Sequence, residues 1–410
     1  MNSMNSFDAM WAAILDVGRD GTTGGYRRFA WNDADMTLRE WFDGEAQRRS
    51  MTVEEDRNGN LWAWWMPAGW QGEPRDAFVT GSHLDSVPDG GAFDGPLGVV
   101  SAFAAVDILR AKDIVPTRPI AVTAFADEEG ARFGVACVGS QLTTGSLTPE
   151  RALRLRDVNG ISLAEALTAS GRRPDHLGAD PALTDRVGVY VELHVEQGRG
   201  LDLVGKPIAV ASSIWPHGRW LFRFTGEANH AGATRLVDRR DPMLAFASSV
   251  HTARGAAQLH DAVATFGKVQ VLPNGANAIP SEITAWLDAR AADEQTLTAL
   301  VAEISAQALK YAEGDGIGLD IDAESVTPIV EFPADTRARL QAALGHLGEI
   351  PVLPTAAGHD AGILSAKVPT AMLFVRNPTG VSHSPVEHAE VDDCHRGVEA
   401  LADVMADWVA

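Results

Sequence analysis

The stretch AFVTGSHLDSVPDGGAFDGPLGVVSAFAAVDILRAK, Ala77 to Lys112, changes character twice along its length. It opens on a short apolar run, AFVT, and crosses a loop rich in glycine, proline and aspartate. It ends in PLGVVSAFAAVDILRAK, a long apolar pattern. A short apolar run bounded by turn residues reads as a strand, and the longer pattern as a helix. The loop between them holds one histidine, His83, and three aspartates, Asp85, Asp89 and Asp94. Taken alone, it is either an acidic surface turn or a place where His83 and an aspartate hold something. The residues that the other short apolar runs lead into decide between the two.

Those runs recur with helical patterns between them. PIAVTAFA and GVYVELHV come before about Ala209, and VPTAMLFV returns near the end, ahead of a last helix from about Asp392 to Trp408. Alternating strands and helices define the α/β class, with a mostly parallel sheet covered on both faces. The middle of the chain has another order. GRWLFRFTGE reads as a strand, DPMLAFASSVHTARGAAQL as a helix, and AVATFGKVQVL and SEITAWLDARA as strands on either side of PNGANAIP. DEQTLTALVAEISAQALKYAE is an amphipathic helix with Asp293 as its N-cap, and IGLDIDAESV is a closing strand. The order β-α-β-β-α-β is that of a ferredoxin-like α+β domain. The expected division is residues 1–210 and 329–410 for the large domain, with 211–328 inserted as the small one.

Composition narrows the function. The 410 residues are 45% hydrophobic and 22% charged, ordinary globular values. With 34 Lys and Arg against 55 Asp and Glu, the formal charge is −21. Such a surface repels nucleic acid and anionic membranes, although a metal or one arginine can outweigh the remote field locally. Two cysteines, Cys137 and Cys394, without a CxxC spacing fit a reducing compartment. The opening MNSMNSFDAMWAAILDVGRDG has no basic region followed by a long apolar core, and no run of about 18 apolar residues occurs. The expectation is a soluble, cytoplasmic protein with neither a nucleic-acid nor a membrane partner.

The strand ends carry the chemistry. AFVTG runs into Ser82 and His83, PIAVTAFA into Asp127, Glu128 and Glu129, GVYVELHVEQG carries His194, and VPTAMLFVRNPTGVSHSP delivers His383. An isolated histidine or aspartate in a polar loop is in most proteins simply solvated, and DEE alone is more often a solvated face or a helix N-terminus. Four strands releasing such residues at their carboxyl ends is a different matter, because open α/β sheets place their sites there. Histidine and carboxylate together suit zinc, manganese, cobalt or nickel. Adjacent glutamates let one bind metal while the other moves protons.

At these residues the chain resembles a known family. GSHLDSVPDGGAFDGPLGV, ADEEGARFG, ELHVEQG, ANHAGAT, PNGANAIPSEI, AGHDA and SHSP are similar, in order and over nearly the whole chain, to the di-metal amidohydrolases of the aminoacylase and carboxypeptidase peptidase family. Within it they resemble the branch of N-carbamoyl-L-amino-acid hydrolases, allantoate amidohydrolases and β-ureidopropionases, which the eleven-residue step from His83 to Asp94 also fits. The resemblance implies two divalent ions per chain. His83, Asp94 and His194 hold one, and Asp94, Glu129 and His383 the other, with Asp94 shared and Asp85 supporting His83 from outside the ligand set. It implies Glu128 as the base that takes a proton from water and passes it to the leaving nitrogen, with hydroxide made accessible near neutral pH by the paired cations. His230 is the implied donor to the developing oxyanion. Arg290 and Asn277 are the implied grip on a substrate carboxylate, and Gln197, Gly358 and His359 match pocket positions. The inserted domain is implied to be a lid and the dimer contact of a homodimer, with His230 reaching the partner's site.

Relatives commonly read HAGTTPM, SGAGHDA and IVGQRR where this chain has HAGATRL, TAAGHDA and IWPHGRW, so the pocket edges differ while the ligand set is whole. The leading expectation is hydrolysis of an N-carbamoyl-L-amino acid to the amino acid, carbon dioxide and ammonia. Allantoate hydrolysis is the alternative, and peptide or acyl-amino-acid hydrolysis a weaker one. A binding protein on the same fold is disfavoured, because Glu128 stands beside a complete ligand set.

Overall fold

The four apolar runs lie side by side as Ile120–Phe125, Ala77–His83, Val187–Val195 and Thr370–Val375, each parallel to its neighbour. In this computed structural model, which describes residues 3–410, three of the four are buried along their whole length. Burial on both faces explains why they read as continuous apolar runs instead of alternating ones. The first two residues of the amino-terminal stretch lie outside the described part. Helices Pro96–Ala111 and Val391–Val409 pack on each other and against these strands. Pro96 occupies the first helical turn, where its missing N–H costs nothing.

The parallel strands are the centre of a nine-stranded mixed sheet. Leu61–Trp65, the LWAWW run, pairs antiparallel with Ile120–Phe125, and Ile208–Ile214 pairs antiparallel with Thr370–Val375. Trp62 and Trp64 are buried, so this run is packing as well as strand.

The chain forms two compact units, Met1–Ser212 with Phe332–Ala410, and Ser213–Glu331. The second has a four-stranded antiparallel sheet in the order Gly318–Thr327, His217–Thr225, Glu282–Arg290, Val263–Leu272. Helices Pro242–Leu259 and Glu294–Gly314 pack with it around Phe222, Phe224, Leu287, Leu300 and Ile304. The Asp293 side chain caps the second helix by accepting the Thr296 N–H. Along Glu282–Arg290, Leu287 and Ala289 face the core while Asp288 and Arg290 share the half-exposed face. Among the described residues no helix is long and apolar enough to cross a membrane.

Candidate metal centre

Parallel neighbours end on the same edge, and there the ligand candidates meet. Ligand atoms of His83, Asp94 and His194 lie within 4.8 Å of one another, as do those of Asp94, Glu129 and His383. Asp94 belongs to both sets through different oxygens. Its Oδ1 is 3.4 Å from His83 Nε2 and 3.2 Å from His194 Nε2, while its Oδ2 is 3.5 Å from His383 Nε2. His383 Nε2 is also 3.7 Å from Glu129 Oε2.

The backbone fixes which nitrogens face inward. His83 Nδ1 lies 3.1 Å from the Asp85 carbonyl, and His194 Nδ1 2.9 Å from that of Val195. A carbonyl only accepts, so in the neutral rings Nδ1 carries the proton and Nε2 presents a lone pair. His194 Nε2 is buried without a hydrogen-bond partner, an arrangement that a metal ion would satisfy. The donor set of imidazole and carboxylate fits zinc, manganese, cobalt or nickel.

Asp85 supports His83 through its carbonyl and through its carboxylate, whose Oδ1 is 3.5 Å from His83 Nδ1, and that carboxylate also holds backbone. It accepts the peptide N–H groups of Glu128 at 3.2 Å and Glu129 at 3.0 Å. From the other side, the N–H groups of Cys137, Val138 and Gly139 donate to the carbonyls of Glu128, Asp127 and Ala126. The two glutamates are thus held at the backbone, where Asp127 takes a left-handed conformation, φ 54°. Glu128 is buried, its Oε2 3.7 Å from His83 Nε2, and the Cys137 thiol donates to its Oε1 at 3.3 Å. Burial pushes its carboxyl well above the usual range. Burial, reinforced by Asp94, raises Glu129 to about 7, and the Asp94 carboxylate raises His383 to about 9.

The glycines of DGGAFDG have tasks here. Gly95 has φ 84°, and a Cβ on it would overlap the His83 ring. A Cβ on Gly91 would overlap the side chain of Glu387. Glu387 and Glu192 are the residues that the sequence reading missed. Glu387 accepts the N–H groups of Phe93 and Asp94. Its signal was a carboxylate just past SHSP. Glu192, a charge inside an apolar strand, accepts from Ser82 Oγ at 2.7 Å and from the Ala361 N–H at 3.0 Å. Glu192 clusters with His194 and His359, yet both its oxygens are already engaged, so this third group is a brace.

The substrate-side candidates fall in two places. Gln197 Nε2 donates to Asp94 Oδ2 at 2.7 Å and to Ser382 Oγ at 3.2 Å. His359, following Gly358, packs edge-on to the His194 ring, centroids 4.5 Å apart. His230, Asn277 and Arg290 belong to the unit of residues 213–331. His230 pairs with Ala278, and its Nδ1 accepts from the N–H groups of Gly232 and Ala233. The neutral ring therefore carries its proton on Nε2 as a free donor. Arg290 spans Asp288 with both arms, at 2.7 and 3.1 Å. Asn277 precedes the strand Glu282–Arg290, and Arg290 ends it.

Two histidine–carboxylate sets sharing one aspartate at the carboxyl edge of an α/β sheet, with a buried glutamate outside both sets, define a metal-dependent hydrolase. The chain belongs to peptidase family M20/M25/M40, whose sequence profile matches residues 79–407. It is 36% identical over 405 residues to an N-carbamoyl-L-amino acid amidohydrolase of Geobacillus stearothermophilus, covering 96% of each chain. It is 31% identical over 386 residues to the allantoate amidohydrolase of Escherichia coli K12, covering 92% of each. A hydantoinase/carbamoylase-family amidase from Burkholderia vietnamiensis superposes with a TM-score of 0.89 at 29% identity, covering 100% of this chain and 97% of that one. The chain is an amidohydrolase, acting on carbon–nitrogen bonds.

Proposed function

We propose that this amidohydrolase cleaves the ureido carbon–nitrogen bond of an N-carbamoyl-L-amino acid, releasing the amino acid, carbon dioxide and ammonia. The observation that carries the reading is Asp94, whose two oxygens face two separate histidine–carboxylate sets. Two divalent ions of zinc, manganese, cobalt or nickel fit them, one at His83, Asp94 and His194, the other at Asp94, Glu129 and His383. When bound, such ions polarise the attacked carbonyl and acidify water. Glu128 takes the water proton on Oε2 and returns it to the leaving nitrogen, while the Cys137 thiol occupies Oε1. His230 Nε2–H donates to the oxygen on which negative charge grows. Arg290 supplies a planar fork for the substrate carboxylate, and Gln197, Asn277, Gly358 and His359 complete the pocket.

The unit of residues 213–331 is read as lid and dimer contact, and the protein as a cytoplasmic homodimer. Support comes from the edge strand Val263–Leu272, which exposes Val263, Val269 and Leu272, and from the preceding helix, which exposes Val250 and Leu259. Allantoate, also a ureido acid, is the second reading, favoured by the likeness to the E. coli enzyme. Ammonia release by metal-loaded protein from a panel of N-carbamoyl-L-amino acids and allantoate tests both. The expected order is N-carbamoyl-L-amino acids first. A preference for allantoate moves the assignment to the second reading, and no ammonia from any ureido acid overturns both.

A further inference from the structure

We propose that Glu387 is a positioning residue of the metal centre, holding the peptide N–H groups of Phe93 and Asp94 and so fixing where the two Asp94 oxygens point. The proposal rests on the metal reading above.

Glu387 follows His383 in the same loop and is 6% exposed. Its Oε2 accepts the Phe93 N–H at 2.9 Å and the Asp94 N–H at 3.1 Å. Its Oε1 lies 3.4 Å from Ser382 Oγ, which in turn is 3.3 Å from Asp94 Oδ2. One carboxylate thereby ties the loop bearing Asp94 to the loop bearing His383, residues 293 positions apart at the Asp94 contact. Both ligand sets depend on that junction, since Asp94 belongs to each.

Two independent features show that the junction is built. Gly91 leaves the space that the Glu387 side chain occupies, and its φ is not in the left-handed region, so any residue fits its backbone there. The second is electrostatic. Among the described residues no lysine or arginine pairs with Glu387, although it is buried beside the Asp94 carboxylate. A buried anion next to another is costly unless a cation is near. Divalent ions in the two ligand sets supply that counter-charge. Glu387 therefore burdens the metal-free fold and favours the loaded one, while its two hydrogen bonds set the direction of Asp94.

The test measures Zn²⁺ affinity by competition with a chromogenic chelator, on variants whose folding is checked by circular dichroism. Outer partners of metal ligands are typically worth 10–100-fold in affinity, so Glu387→Ala is expected to weaken Zn²⁺ binding by about that factor. Glu387→Gln keeps the size but loses the charge, and is expected to fall between Glu387→Ala and wild type. Gly91→Ala leaves Glu387 in the chain but fills its space, and is expected to weaken Zn²⁺ binding by about tenfold or more. At saturating metal, KM for an N-carbamoyl amino acid should stay within about twofold of wild type, because substrate binding is not what the clamp provides. Wild-type Zn²⁺ affinity in folded Glu387→Ala, or in Gly91→Ala, overturns the proposal. A wild-type protein that binds no divalent ion overturns the metal reading itself, and is recognised without any variant.

Discussion

The two Asp94 oxygens have different neighbours, and this asymmetry distinguishes the groups around them. Oδ1 faces two histidines whose rings are fixed by backbone carbonyls, and Oδ2 faces His383. Glu128 stands outside both sets, and its Oε2 is the nearer of its oxygens to His83. Glu128→Gln keeps the Cys137 contact and the shape but cannot take a proton. It should retain metal and lose kcat by about 10²–10⁴-fold, the usual range for general acid–base catalysis. Steady-state kinetics alongside metal analysis checks this, and near-normal kcat would remove Glu128 from the proton path. The candidate ligands His83, Glu129, His194 and His383 were legible because each follows an apolar run, whereas Asp94 was singled out among three loop aspartates by the family resemblance. Glu387 and Glu192 were not legible, for a physical reason. They act on peptide N–H groups and a hydroxyl of residues far along the chain, and no sequence spacing encodes such a contact.

At the level of elements, the runs most readable as strands are the ones buried on both faces, the parallel centre of the sheet. The flanking strands were harder to read. Leu61–Trp65 is too aromatic and too short to show its partner, and Thr52–Glu55 alternates weakly at an edge. In the small unit the helix capped by Asp293 and the four long strands obey the pattern of their residues. The edge strand Val263–Leu272 is informative in another way. It is long and largely exposed, with Val263, Val269 and Leu272 open to solvent and, among the described residues, one neighbouring strand. Such an edge is a template for pairing with another chain. Val269→Lys puts a charge on that edge at a position that is 41% exposed. The expected outcome is a shift from dimer to monomer in sedimentation velocity. A wild type that is monomeric at all concentrations, or a variant that dimerises equally well, would exclude this strand as the contact.

Seen over the whole molecule, the candidate ligands are distributed unevenly between the two units. His83, Asp94, Glu129, His194 and His383 all belong to the unit of residues 1–212 and 332–410, and none to residues 213–331. Within that larger unit they also come from both of its chain segments, His383 from the second and the other four from the first. A cation held by Asp94, Glu129 and His383 would link segments that the sequence separates by the entire small unit, and a cation in either set would bind the folded arrangement far better than an unfolded chain. Such binding stabilises by RT ln(1 + [L]/Kd), about 2.7 kcal/mol per site at a free metal concentration of 100 Kd. Thermal unfolding should therefore show a transition that falls by several degrees on chelation and recovers when Zn²⁺ or Mn²⁺ is restored. The segment 213–331 has its own sheet, two helices and a buried core, so it should fold when expressed alone. It should do so with a midpoint indifferent to metal. A full chain whose unfolding is unchanged by chelator, or an isolated 213–331 segment stabilised by the same ions, would show that these five ligands are not where the metal binds.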